Sequence, residues 1–146
     1  MTSTEYDIFV SYRWQEPDRT WVRATLIPAL QDAGLAVCAD YISFRIGRPV
    51  IREMERAVES SRFTLAVMTP AYVRGAFSDL EAVMAQHLSL EEREDRFLVV
   101  LREETPQIPL GTRARIWLDM TQDAEFTAAM QRLIAEVADD GDGSPA

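Results

Sequence analysis

Lysine and asparagine are absent from this sequence, and cysteine and histidine occur once each, as Cys38 and His87. The missing lysine excludes a Schiff-base mechanism, a Walker-type phosphate loop and the lysine that a phospho-acceptor receiver domain requires. A single cysteine and a single histidine rule out a disulfide framework and a Cys/His zinc site, so no metal is expected. No second histidine is left for a conventional nucleophile–base pair beyond His87 itself. No apolar run is long enough to span a bilayer, and the N-terminus lacks the basic and apolar regions of a signal peptide. The expectation is a cytoplasmic protein with no membrane contact.

What is present describes an ordinary globular chain. Its 146 residues suit one domain with a core of useful size. Hydrophobic residues make up 47% and charged residues 27%, close to the average for folded domains. The net charge is −9, and nucleic-acid surfaces need a dense basic patch, so no nucleic-acid partner is expected.

The chain is organised around residues 63–86. Phe63–Met68 is an apolar run of strand length without alternation, as in a strand covered on both faces. Thr69-Pro70 ends it, and a helical stripe of Phe77, Leu80, Met84 and Leu88 follows. Glu81 lies four residues after Phe77, so its carboxylate borders that stripe. A helix that follows a central strand delivers its side chains near the carboxyl end of the sheet, where open α/β sheets bind ligands. Glu81 is therefore the candidate chemical centre.

Around this centre, Tyr6–Tyr12 forms the first strand, and a helix capped by Asp18 runs to Ala33-Gly34, kinked by Pro28. Leu35–Ala39 is a second short strand. Residues 40–49 form a connector longer than most strand-to-helix links, which marks it as functional. A helix over 50–61 precedes the central strand. Residues 91–96 are a charge run best read as a solvated turn. Phe97–Leu101 is the fourth strand, Glu103–Gly111 a loop, Ala114–Leu118 the last strand and Asp123–Ala138 the closing helix. Residues 139–146 have the composition of a flexible tail or of a linker to a further domain.

Strands alternating with helices predict an α/β fold. The flavodoxin-like version is a three-layer sandwich, a five-stranded parallel sheet in the order 2-1-3-4-5 with helices on both faces. A cleft at its switch point takes Ser11, Tyr12, Arg13 and Trp14 from the first strand and Thr69 to Glu81 from the third. The connector 40–49 forms the neighbouring wall.

Together these stretches resemble the TIR (Toll/interleukin receptor) domain family, in its bacterial type. Tyr6–Tyr12 is similar to the family's opening signature, Asp40–Pro49 to its BB loop, and Ser60-Ser61-Arg62 is also typical. Phe77-Ser78-Asp79-Leu80-Glu81 resembles the Trp-Cys-x-x-Glu segment, with Phe77 for the tryptophan and Ser78 for the cysteine. Ile46 stands where the BB loop often has a proline. The resemblance covers about residues 5–138, so the expected division is a TIR domain over 1–138 and the tail.

The resemblance implies an NAD nucleosidase (NADase) that uses NAD as substrate and needs no cofactor. It would cleave the nicotinamide–ribose bond to give ADP-ribose or, as an ADP-ribosyl cyclase, a cyclic isomer, in bacterial defence or signalling. Glu81 would be its catalytic carboxylate. Tyr12, Trp14 and Phe77 are then candidates to stack on the nicotinamide cation, with Phe44 and Gly47 shaping the loop side of the site. Arg13, Arg45 and Arg48 are candidates for the pyrophosphate, Asp40 is a candidate to accept from a ribose hydroxyl, and Ser11 to line the cleft. Self-association with other TIR domains, a neighbouring BB loop completing the site, is the implied activation. Plainer readings stand beside these. Ser78-x-x-Glu81 fits a helix capping box, the arginines fit solvated charges, Asp40 fits a loop cap, and Phe77 fits plain core. A TIR module that only assembles is the competing function.

Overall fold

The computed structural model describes residues 4–106, 108, 112 and 115–141. Strand β1 (Tyr6–Ser11) leads into a helical rod, α1, made of Asp18–Trp21, a π-helical stretch Val22–Leu26 and Ile27–Asp32. Strand β2 (Val37–Cys38) and the short helix α2 (Asp40–Ser43) follow. Then come α3 (Val50–Ser60), β3 (Ser61–Met68), α4 (Pro70–Arg74) and α5 (Ala76–His87). Helix α6 (Leu90–Arg96), β4 (Phe97–Leu101), β5 (Leu118–Asp119) and α7 (Phe126–Gly141) complete the chain.

All four strand pairings are parallel, and the sheet order is β2-β1-β3-β4-β5, as the sequence predicts. Successive side chains of a strand point to opposite faces, and the core divides accordingly. Ile8, Val10, Phe63, Leu65 and Val67 face α1 and α7. Phe9, Ala66, Met68, Val99 and Leu101 face α3, α4 and α5. The all-apolar runs of β1 and β3 follow from this double cover.

Several local expectations change. Asp18 does not cap its helix; it is buried as the first helical residue and accepts from Thr69 Oγ1 at 3.1 Å. The same Thr69 oxygen accepts from the Tyr72 amide at 3.2 Å, capping α4. At Pro28 the rod departs from α-helical winding: a wider π-helical turn lies directly before the proline, which has no N–H to donate, and the helix continues to Asp32. Gly34 ends the rod at φ +89, as expected of a left-handed stop. The connector 40–49 opens with helix α2 instead of being loop throughout.

Residues 91–96 are a helix, not a solvated turn. Ser89 and Glu92 close a capping box that holds the charge run in helical form. The last strand falls at Leu118–Asp119, and residue 114 of the predicted strand lies outside the described residues. The closing helix runs to Gly141, into the stretch of linker composition, and residues 142–146 lie outside the described residues. Among the described residues, no helix is long and apolar enough to cross a membrane.

The single histidine clamps two helices of one layer. His87 of α5 meets Glu55 Oε2 of α3 at 2.8 Å and Glu59 Oε2 at 3.5 Å. The hydrogen bond to Glu55, aided by the charge of Glu59, raises the imidazole pKa above its usual value. A raised folded-state pKa means the pair stabilises fully below the unfolded value of about 6.5, and the gain is lost as pH rises through the folded value. We expect His87→Gln to lower the urea midpoint at pH 5.5 and to match the parent protein by about pH 9. A difference that stays constant with pH would refute the ion-pair account.

Candidate functional site

β1 and β3 are paired neighbours, with Val10 opposite Leu65 and Ser11 opposite Ala66. The chain leaving β1 turns to α1 on one face, whereas the chain leaving β3 turns to α4 and α5 on the other. The gap between the two exits is the switch point of a doubly wound sheet. A cleft of about 510 Å³ opens there. Ser11, Tyr12, Arg13 and Trp14 line it from β1, Asp40 and Phe44 from the connector, and Arg74 and Asp79 from the α4–α5 corner. Six of the predicted site residues are thus brought together from two separate stretches.

Its polar wall is built from behind. The Tyr12 hydroxyl donates to Asp40 Oδ1 at 2.6 Å. Arg23, projecting from the π-helical stretch, donates through Nε to the Tyr12 oxygen and through Nη2 to Asp40 Oδ2, both at 2.8 Å. Its guanidinium also stacks 4.6 Å above the Tyr41 ring. Burial, then the hydrogen bond to Asp40, raises the Tyr12 pKa, so the phenol keeps its proton and remains a donor. Ser11 Oγ and the Tyr72 hydroxyl share a buried hydrogen bond of 2.7 Å. The apolar side has Trp14 edge-on to Phe44 at 6.2 Å and Phe9 against Phe44 at 6.1 Å.

Arg45, Gly47 and Arg48 are not in the cleft lining. They stand exposed on the connector, outside the cleft that gathers the other expected residues. The reason is local. Glu53 of α3 accepts from the Arg45 backbone amide and from Arg56 Nη2, each at 2.7 Å, and this ties the connector to α3 while the side chains point outward. Gly47 sits at φ +85, a conformation that L side chains resist.

Phe77 and Glu81 also fall outside the cleft. Phe77 is 1% exposed, with its ring 5.6 Å from Tyr72 and stacked 6.3 Å from Phe97. Its faces are used within the core, so it offers no stacking surface to a ligand. Glu81 borders a second hollow of about 440 Å³, with Phe77, Met84, Leu90, Arg93, Phe97 and Arg115 around it. Positions 79 and 81 differ by about 200° around a helix, so Asp79 faces the cleft and Glu81 faces away from it. The capping reading of Glu81 fails as well. The helix starts at Ala76 after Gly75, and Ser78 Oγ donates to the Gly75 carbonyl at 3.1 Å instead of capping. Glu81 is half-buried, and no group among the described residues pairs with it. Desolvation raises its pKa above the usual carboxylate value.

The sequence model of the TIR domain matches residues 8–134. The chain belongs to the TIR-domain family. Toll-like receptor 6 of Bos taurus is 26% identical over 103 residues, covering 70% of this TIR domain and 13% of the receptor. Toll-like receptor 13 of Mus musculus is 28% identical over 114 residues, 76% of the chain and 11% of the receptor. The chain thus spans only a small part of the curated relatives it matches. In fold, it superposes on the TIR domain of a Toll-related receptor from Hydra magnipapillata with a TM-score of 0.75 at 20% identity, covering 91% of this chain and 98% of that one.

Arg74 and Asp79 line the cleft and fall within the stretch Thr69 to Glu81 that the sequence puts there, although neither is marked individually by its pattern. The signal available was their position: Asp79 lies three residues from Ala76, so both share the face of α5 opposite Glu81, and Arg74 precedes the corner glycine. Phe77 yields a direct check. Replacing a fully buried, ring-stacked phenylalanine by alanine removes apolar contact and leaves a cavity, so Phe77→Ala should cost about 3–5 kcal/mol in urea unfolding. A loss below about 1 kcal/mol would mean the ring is not core.

Proposed function

We propose that this TIR domain binds NAD in the carboxyl-edge cleft and cleaves the nicotinamide–ribose bond, with Glu81 as the catalytic carboxylate. The observation that carries the reading is the convergence of Tyr12, Arg13, Trp14, Asp40 and Phe44 in one cleft of about 510 Å³. That volume is within the range of small-molecule and cofactor sites, and the wall combines aromatic faces with a few placed polar groups.

The reaction asks little of the protein. The bond from the sugar carbon to the ring nitrogen breaks with its electron pair going to nicotinamide, which was cationic when attached and leaves neutral. No general acid is required. The sugar develops oxocarbenium-like positive charge, as in glycoside cleavage. A fixed, partly dry carboxylate opposite that charge stabilises it strongly. Water then adds to the sugar carbon and loses a proton, giving ADP-ribose; attack by an adenine or ribose atom gives a cyclic isomer. This chemistry suits a chain with one histidine and no lysine.

Glu81 has the partial burial that such a role favours, since a half-dry carboxylate interacts more strongly with a developing cation. Its place behind α5 means that it meets a dinucleotide in the cleft only after a rearrangement of that helix or with help from a second copy. Self-association of TIR domains, through the outward-pointing Arg45, Gly47 and Arg48, is the step we assign to that control.

A second reading, assembly without catalysis, is favoured by one observation. Ile42, Ile46, Val50 and Ile51 are all exposed along the connector and the start of α3, Ile46 completely. Such a strip on a protein surface suits a protein partner.

Nicotinamide release by concentrated protein, or by the domain fused to an oligomeriser, separates the two. The expected result is release by the parent protein and none by Glu81→Ala, with unchanged melting temperature. Because desolvation holds the Glu81 pKa up, turnover should fall on the acid side at a pH above the ordinary glutamate value of about 4.3. Turnover retained in Glu81→Ala removes that residue from its role. A crowded parent protein that never releases nicotinamide leaves the assembly reading.

A further inference from the structure

The cleft holds more polar groups than it has free to offer a ligand. Asp40 uses both carboxylate oxygens internally, one on Tyr12 and one on Arg23. Tyr12 is held between Asp40 and Arg23, and Ser11 is engaged with Tyr72. Arg13 turns back on its own loop, donating to Gln15 Oε1 at 2.9 Å and to the Glu16 carbonyl at 3.4 Å. Two charged side chains of the lining remain. Among the described residues, neither Arg74 nor Asp79 has a hydrogen bond or an ion pair, and they are not paired with each other.

We propose that Arg74 and Asp79, flanking Gly75 at the α4–α5 corner, are the pair that recognises the ligand, Arg74 a phosphate group and Asp79 a sugar hydroxyl. The assignment rests on the NAD reading and extends it, because it gives the polar contacts to two residues to which the resemblance assigns no role. The chemistry follows from the donor inventory. A guanidinium presents a planar fork of donors that matches two phosphate oxygens. An ionised carboxylate only accepts, so it repels phosphate and selects hydroxyl or amino groups. Beside them, Trp14 and Phe44 supply an apolar wall for a planar base. A cation, an acceptor and an aromatic wall in one cleft describe a ribonucleotide rather than a purely apolar ligand or a bare anion.

The geometry also explains why one carboxylate was not enough. Asp40 is the scaffold of the wall, held by Tyr12 and Arg23, so each of its carboxylate oxygens already has a partner before any ligand arrives. Asp79 comes from the opposite wall, where no neighbour competes for it. Arg74, one residue before the corner glycine, stands beside it without neutralising it.

Binding can be tested without turnover, using ADP-ribose as the probe and calorimetry or NMR titration as the readout. Arg74→Ala and Asp79→Asn should each weaken ADP-ribose binding by roughly tenfold or more, as loss of a charge-assisted hydrogen bond does. Both side chains are exposed, so melting temperatures should match the parent protein. Arg74→Ala should also flatten the dependence of affinity on salt, which loss of a merely structural side chain would not do. Unchanged affinity in Arg74→Ala and Asp79→Asn overturns the pair, while parent binding and turnover would leave the NAD reading standing. No binding by the parent protein at millimolar ADP-ribose overturns the NAD reading together with the pair.

Discussion

The architecture depends on one constraint, the parallel pairing of β1 with β3 while their onward connections leave on opposite faces of the sheet. A right-handed crossover returns each chain over a different layer, so the carboxyl ends of these two strands cannot be covered by a common loop. The open edge is occupied by whatever side chains the exits carry. Here those are Ser11 to Trp14 on one side and the α4–α5 corner on the other. The buried pairs Ser11–Tyr72 and Asp18–Thr69 lie under this edge and fasten the two exits together. Each satisfies polar groups that burial would otherwise penalise by about 1–3 kcal/mol.

Above that floor, one arginine organises the wall. Arg23 reaches Tyr12, Asp40 and the Tyr41 ring from a helix that is π-wound at that point. The π-helical turn and Pro28 occur together in the same rod, so an irregularity that would weaken an ordinary helix here carries the side chain that ties Tyr12 to Asp40. The cost is that Asp40 becomes structural. A carboxylate clasped by a phenol and a guanidinium is a poor acceptor for a further partner.

Helix α5 divides its work between two sides. Phe77, Leu80, Val83 and Met84 bury one stripe, Asp79 borders the cleft, and Glu81 borders a separate hollow. The TIR family's aromatic position is filled by a ring that is part of the core, stacked on Phe97. The acid four residues on is left in a half-dry place with its pKa raised. The two carboxylates of α5 thus face different hollows, on opposite sides of one helix.

Strand order, layers and the gathering of Tyr12, Trp14, Asp40 and Phe44 were all legible in the residues, because apolar runs and helical stripes are local patterns and parallel topology leaves few alternatives. Helix α6 escaped notice although Ser89 and Glu92 spell a capping box, because the charge run hid it. The roles of Phe77, Glu81, Arg45 and Arg48 were not legible in the same way. Spacing along a helix says which residues share a face, but not which neighbour that face meets. Only the packed structure decides that Phe97 takes the Phe77 ring, that Glu53 turns the Arg45 segment outward, and that Asp79 rather than Glu81 looks into the cleft. Sequence alone therefore determined the fold and the place of the switch-point cleft, since both follow from short-range pattern. Tertiary structure decided which charges are spent internally and which remain free, since that depends on contacts between residues far apart in the chain.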